Sequence, residues 1–125
     1  MGKKSIFSAF LFALVLFVGL TSCTKEGLGG KGEIKGHAYY ESKSFKPAMF
    51  YIKYGADSSP GSDISRYDAS SASDSDGKFH FKELNKGDYY IYAVGPDEGQ
   101  TVAGGVHVEL DKDEHKDNVQ INVAP

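Results

Sequence analysis

The fold is read from Asp74-Ser75-Asp76-Gly77-Lys78-Phe79-His80-Phe81-Lys82-Glu83-Leu84-Asn85-Lys86-Gly87-Asp88-Tyr89-Tyr90-Ile91-Tyr92-Ala93-Val94. Asp76-Gly77 is a tight-turn signal, because glycine accepts the positive φ that such turns require. After it Phe79 and Phe81 point to one side and His80 to the other, the two-residue period of a half-buried strand. Lys86-Gly87-Asp88 makes the next turn. Alternation then resumes, with Tyr89, Ile91 and Ala93 in one phase and Tyr90 and Tyr92 in the other. Two strands joined by a short turn follow from this stretch alone.

Outward from it the same period recurs, and no segment sustains a helical period over three turns. Seven strands are expected, at about 33–40, 47–55, 64–70, 78–84, 88–95, 102–110 and 117–124. In the first, Ile34, Ala38 and Tyr40 share a face, with Lys35, His37 and Tyr39 opposite. In the second, Ala48, Phe50, Ile52 and Tyr54 alternate with Met49, Tyr51 and Lys53, and Pro47 is tolerated at the strand's start. Val106, Val108 and Leu110 alternate in the sixth strand, and Val119, Ile121 and Val123 in the seventh. The Ser- and Asp-rich stretch 57–74 carries one weak strand and is expected to be the most mobile part of the domain.

The 74–94 run resembles the carboxypeptidase regulatory-like domains of the transthyretin-like, or prealbumin-like, group. Its Asp-Gly turn, Phe79-x-Phe81, Leu84, Gly87-x-Tyr89 corner and alternating strand match that pattern. Ile34 to Ala38 resembles the family's opening strand, and Pro47 to Tyr54 its second. The resemblance implies an all-β, seven-stranded Greek-key sandwich. Leu84 would plug one end, and the Tyr89 hydroxyl would bond nearby backbone, as in a tyrosine corner. Some members of the wider group hydrolyse a purine breakdown product with histidines, an arginine and a C-terminal Tyr-Arg-Gly-Ser. This chain ends Asn122-Val123-Ala124-Pro125 and its one arginine is Arg66, so no enzymatic activity is expected.

The N-terminus addresses location. Lys3-Lys4 followed by the apolar run Ile6 to Leu20 matches a secretory signal, and the run falls short of the about 20 residues that span a membrane. Leu20-Thr21-Ser22-Cys23 resembles a bacterial lipobox, which makes residues 1–22 a removed signal peptide and Cys23 a lipidated N-terminus. Residues 23–32, with four glycines from Thr24 to Gly32, read as a flexible tether, and 33–125 as the sandwich domain. Thr24 is not the aspartate that retains lipoproteins in the inner membrane of many Gram-negative bacteria, so a cell-envelope protein of the outer membrane is expected. Short lipoproteins with such domains resemble those of Bacteroidetes-type bacteria, many of which serve adhesion or polysaccharide capture.

Composition narrows the partners. Without residues 1–22 the chain keeps 12 basic and 17 acidic side chains, a balance that argues against nucleic acid. Ala72, Asp74, Asp76, Gly77 and Glu83 fall on a calcium-loop template, but Ala72 brings no side-chain oxygen and the flanks read as strands. His37, His80, His107 and His115 have no partner at metal-ligand spacing, so neither metal nor cofactor is expected. The serines lack a Gly-x-Ser-x-Gly elbow. What remains is a structural or assembly module of the envelope, or a module that binds a glycan or a protein. Tyr39, Tyr51, Tyr90 and Tyr92, with His37 and His80, share the phase opposite the core and form the candidate binding face. Cross-strand aromatic pairs alone stabilise a sheet by about 0.2–1 kcal/mol, so contiguity of the rings is what would mark a site.

Overall fold

A computed structural model describes residues 25–46 and 49–125. The signal sequence, the lipobox with Cys23, and Pro47-Ala48 lie outside the described residues. Eight strands make two sheets: β1 (Leu28–Tyr40), β2 (Lys43–Phe45), β3 (Met49–Tyr54), β4 (Ala69–Ala72), β5 (Lys78–Leu84), β6 (Gly87–Asp97), β7 (Gln100–Leu110) and β8 (His115–Asn122). In sheet A, β1 is central. The parallel strand β8 lies along one side, from Glu33↔His115 to Tyr39↔Asn122. Along its other side run β5, antiparallel over Leu28–His37, and then β2 over Ala38–Tyr40. Sheet B is antiparallel throughout, in the order β4-β3-β6-β7.

The inward phases meet in one core. Ile34, Ala38, Phe79, Phe81, Leu84 and Ile121 come from sheet A, facing Phe50, Ile52, Tyr89, Ile91, Ala93, Val102, Val108 and Leu110 of sheet B. Phe50 and Phe79 join the layers, with ring centroids 4.7 Å apart. The turn before β5 forms as its residues dictate. Gly77 has φ +83°, and the Asp74 carboxylate accepts the N–H groups of Asp76 and Lys78, both at 2.9 Å. Those two bonds and the adjoining strand β5 make Asp74 part of a turn.

Tyr89 closes the β5–β6 corner from inside. Its Oη donates to the Asn85 carbonyl at 2.6 Å and accepts the Gly27 N–H at 2.9 Å. Asn85 completes the clamp: its N–H donates to the Gly27 carbonyl, and its side-chain amide donates to the carbonyls of Lys25 and Leu28.

Three expectations are corrected. β1 begins at Leu28, so residues 28–32, read as tether, belong to sheet A. Gly30 presses so closely on the Leu84 carbonyl that a Cβ there would collide with it, which is why the segment is glycine-rich. Of the strand expected at 64–70 only Ala69 and Ser70 lie in one, the start of β4. Asp63 caps a 3-10 turn over Ile64–Arg66 by accepting the Ser65 N–H, and pairing resumes only in β4. The short β2 makes eight strands where seven were expected.

Candidate binding face

Strand register builds the outer face of sheet B in rows. Tyr51 on β3 lies opposite Tyr92 on β6, with Ser70 of β4 and Gly105 of β7 at the ends of that row. The next row is Lys53, Tyr90 and His107; on the other side lie Met49, Val94 and Ala103. All these positions share the outward phase because Phe50, Ile52, Ile91 and Ala93 between them are fully buried. Gly105 has a direct role here. The Tyr90 ring lies over it so closely that a Cβ would strike the phenol, so the missing side chain lets the ring lie flat against β7.

A third ring joins from the loop before β4. Tyr67 stacks on Tyr92 at 5.6 Å with an 18° interplanar angle, and meets Tyr51 at 6.0 Å. Tyr51 and Tyr92 are 6.4 Å apart. The three centroids form a nearly equilateral triangle, half-buried by mutual contact. The loop is pinned at several points. Tyr67 Oη donates to the Gly61 carbonyl at 2.8 Å, Asp68 N–H donates to the Ile52 carbonyl, and the Asp68 carboxylate accepts the Tyr54 N–H and pairs with Lys53 at 3.5 Å.

Burial pushes the Tyr92 phenol above its usual range, with Tyr51 adding to the effect. Burial does the same for Tyr67, opposed by a hydrogen bond with Ser59 and reinforced by Tyr90 and Tyr92. Both hydroxyls are therefore neutral donor–acceptors at physiological pH. The rim supplies polar groups: the Lys53–Asp68 pair, Ser70, and His107 bonded to Asp88 at 2.8 Å.

The six side chains grouped from sequence do not form one face. Tyr51, Tyr90 and Tyr92 are on sheet B, whereas His37 and Tyr39 of β1 and His80 of β5 are on sheet A, on the opposite outer surface. His37 and Tyr39 touch at 6.2 Å. His80 is bonded to one oxygen of Glu33, and His115 lies 3.3 Å from the other. The His80 hydrogen bond is the main reason the Glu33 carboxyl is held below its usual range. Among the described residues no group of three or more His, Cys, Asp or Glu side chains could hold a metal ion. Tyr67 was the residue that phase alone missed. Its signal was the single aromatic ring in the stretch 57–74, where Ile64 is the only other large apolar side chain.

No family model and no curated protein matches the sequence. Solved structures do share its fold. A candidate carbohydrate-binding protein from Pseudomonas aeruginosa is similar with a TM-score of 0.53 at 15% identity, over 77% of this chain and 90% of that one. A DUF3823 family protein from Parabacteroides merdae is similar with a TM-score of 0.52 at 18% identity, over 78% of this chain. This chain spans 47% of that protein's length. At such identities the likeness is one of β-sandwich fold.

Proposed function

We propose that the chain is a non-enzymatic binding module of the bacterial cell envelope, of transthyretin-like type and lipid-anchored through Cys23, that takes a carbohydrate on the outer face of sheet B. The observation that carries this reading is the contiguous triangle of Tyr51, Tyr67 and Tyr92 with Tyr90 beside it. A phenol ring offers a flat apolar surface for the C–H face of a pyranose, and its hydroxyl offers a neutral partner for sugar hydroxyls. Apolar surface with a few placed polar groups is the general make-up of a ligand site. The carbohydrate-binding description of the Pseudomonas aeruginosa neighbour agrees with this choice of ligand. The tight Phe79-x-Phe81, Leu84 and Tyr89 corner supports the transthyretin-like type, and Thr24 after the cysteine supports the outer membrane.

A glycan array probed with the wild-type chain, with Tyr51→Ala and with Tyr92→Ala tests the proposal. Signals carried by wild type and lost in both variants are expected. Binding that survives both substitutions contradicts it.

A second reading, assembly through a strand edge, rests on β7. It pairs with β6 along 11 residues and, among the described residues, its only other strand pairing is the Ala103↔Ala124 bridge, with the end of β8 packed close to Gly104. An unpaired edge recruits other strands. Light scattering of the delipidated protein distinguishes the two, since assembly requires a dimer or larger and glycan binding does not.

A further inference from the structure

We infer that the end of the sandwich where the chain enters is a membrane-facing surface, and that a groove there receives the phosphate groups of anionic lipids. The groove, of about 600 Å³, runs between the start of β1, the β5–β6 turn and the β7–β8 turn. Its walls carry three ammonium groups, on Lys31, Lys86 and Lys112, against the single carboxylate of Asp113. None of the three lysines makes an ion pair among the described residues. Glu114, on the same turn, is engaged with the Asp111 N–H and with Lys116. Backbone at Gly29 and Gly30 lines the groove without side chains to fill it.

The clamp fixes this end relative to the anchor. Asn85, which lines the groove, holds the carbonyls of Lys25, Gly27 and Leu28. Only Thr24 separates Lys25 from Cys23 in the sequence, so the two can be no more than about 7 Å apart along an extended chain. The long tether expected from the glycines is thus shortened to a stub. A domain held that closely cannot float free of the surface, and the groove opens at this same end, beside the Glu26 side chain that lies against Gly55 and Gly87. Lysines near an anionic membrane each strengthen binding about fivefold, and tethering makes weak contacts of this kind effective. The orientation rests on the proposed acylation of Cys23 and is independent of the carbohydrate face.

The test uses the full protein purified from membranes, with its acyl group verified by intact mass, in vesicles of phosphatidylcholine alone or mixed with phosphatidylglycerol. Amine acetylation is read at each lysine by mass spectrometry. Lys31, Lys86 and Lys112 are expected to be several-fold protected in the mixed vesicles and to react freely in phosphatidylcholine or high salt. Lys43, at the far end of β1's hairpin with β2, should react equally in all. The triple variant K31Q/K86Q/K112Q should lose the difference in domain orientation, read as protection of the neighbouring Lys25. Equal labelling of the three lysines in both vesicle types overturns the inference. So does protection by inorganic phosphate alone without protection by vesicles, which would assign the groove to a soluble anion. If the mass shows no acyl group, the anchor fails, and co-sedimentation of the soluble chain with the same vesicles decides the groove by itself: binding to mixed vesicles that the triple variant loses supports it, and no binding overturns it. Tyr51→Ala and Tyr92→Ala should leave all these readouts unchanged.

Discussion

The two outer faces of the sandwich are built from the same alternation and differ in what they leave unsatisfied. On sheet A the outward groups answer one another across strands: Glu33 of β1 takes His80 of β5 and His115 of β8 on its two oxygens. On sheet B the central outward groups are rings that answer one another by stacking, a loop adds Tyr67 to extend the surface, and the charge pairs Lys53–Asp68 and His107–Asp88 stand at its rim. Charges paired within a face have little left to offer a ligand. Aromatic rings keep apolar surface available, which is why the proposed binding face is the one on sheet B.

The largest expected effect removes the comparison altogether. Phe79 is fully buried and touches Phe50 across the layers, so Phe79→Ala should cost about 3–5 kcal/mol in chemical unfolding and weaken both faces together. A loss below about 1 kcal/mol would mean that the two sheets do not share one core. Next, Tyr51→Ala or Tyr92→Ala should weaken glycan binding about tenfold, by array titration or calorimetry, whereas Tyr39→Ala on sheet A leaves it unchanged. An equal loss from Tyr39→Ala would erase the distinction between the faces. Tyr67→Ala should weaken binding less, by severalfold, with little change in melting temperature, because its loop adds a wall to a platform that β3 and β6 already provide.

The smallest effect is electrostatic and belongs to sheet A. The folded Glu33 carboxyl is lowered from 4.5, chiefly by the His80 hydrogen bond, so its stabilising contribution is present above that value and is lost as pH falls through the lower folded one. Glu33→Gln should therefore flatten the acid limb of a stability–pH curve and leave glycan binding alone. Binding itself should be level from mildly acidic to mildly alkaline pH, since burial holds the Tyr67 and Tyr92 phenols above their usual range.

Much of the architecture was legible because the strongest segments carry several signals at once. In β5 and β6 the Asp-Gly turn, the Phe79/Phe81 phase and the Tyr89 corner all agree, and each holds in the structure. Around Ile64 the signals conflict. A weak strand is expected there, while Asp63 offers its side chain to the Ser65 N–H and hydroxyl, a local bond that favours a turn over a ladder. At 28–32 the glycines read as freedom, yet close approach of two backbones needs glycine as much as a flexible linker does. The candidate face was half legible for a similar reason. Alternation tells whether a side chain points in or out, but which of two outer surfaces it reaches depends on strand order. Tyr39 and Tyr51 share a phase and occupy opposite sides of the molecule.

Carbohydrate binding on the outer face of sheet B is decided by following the tyrosine ring resonances by NMR while the glycan with the strongest array signal is added. Saturable shifts are expected at Tyr51, Tyr67 and Tyr92, with Tyr39 and His37 undisturbed. Shifts confined to Tyr39, His37 and His80, or a bound glycan that leaves the three sheet B rings unmoved, would contradict it.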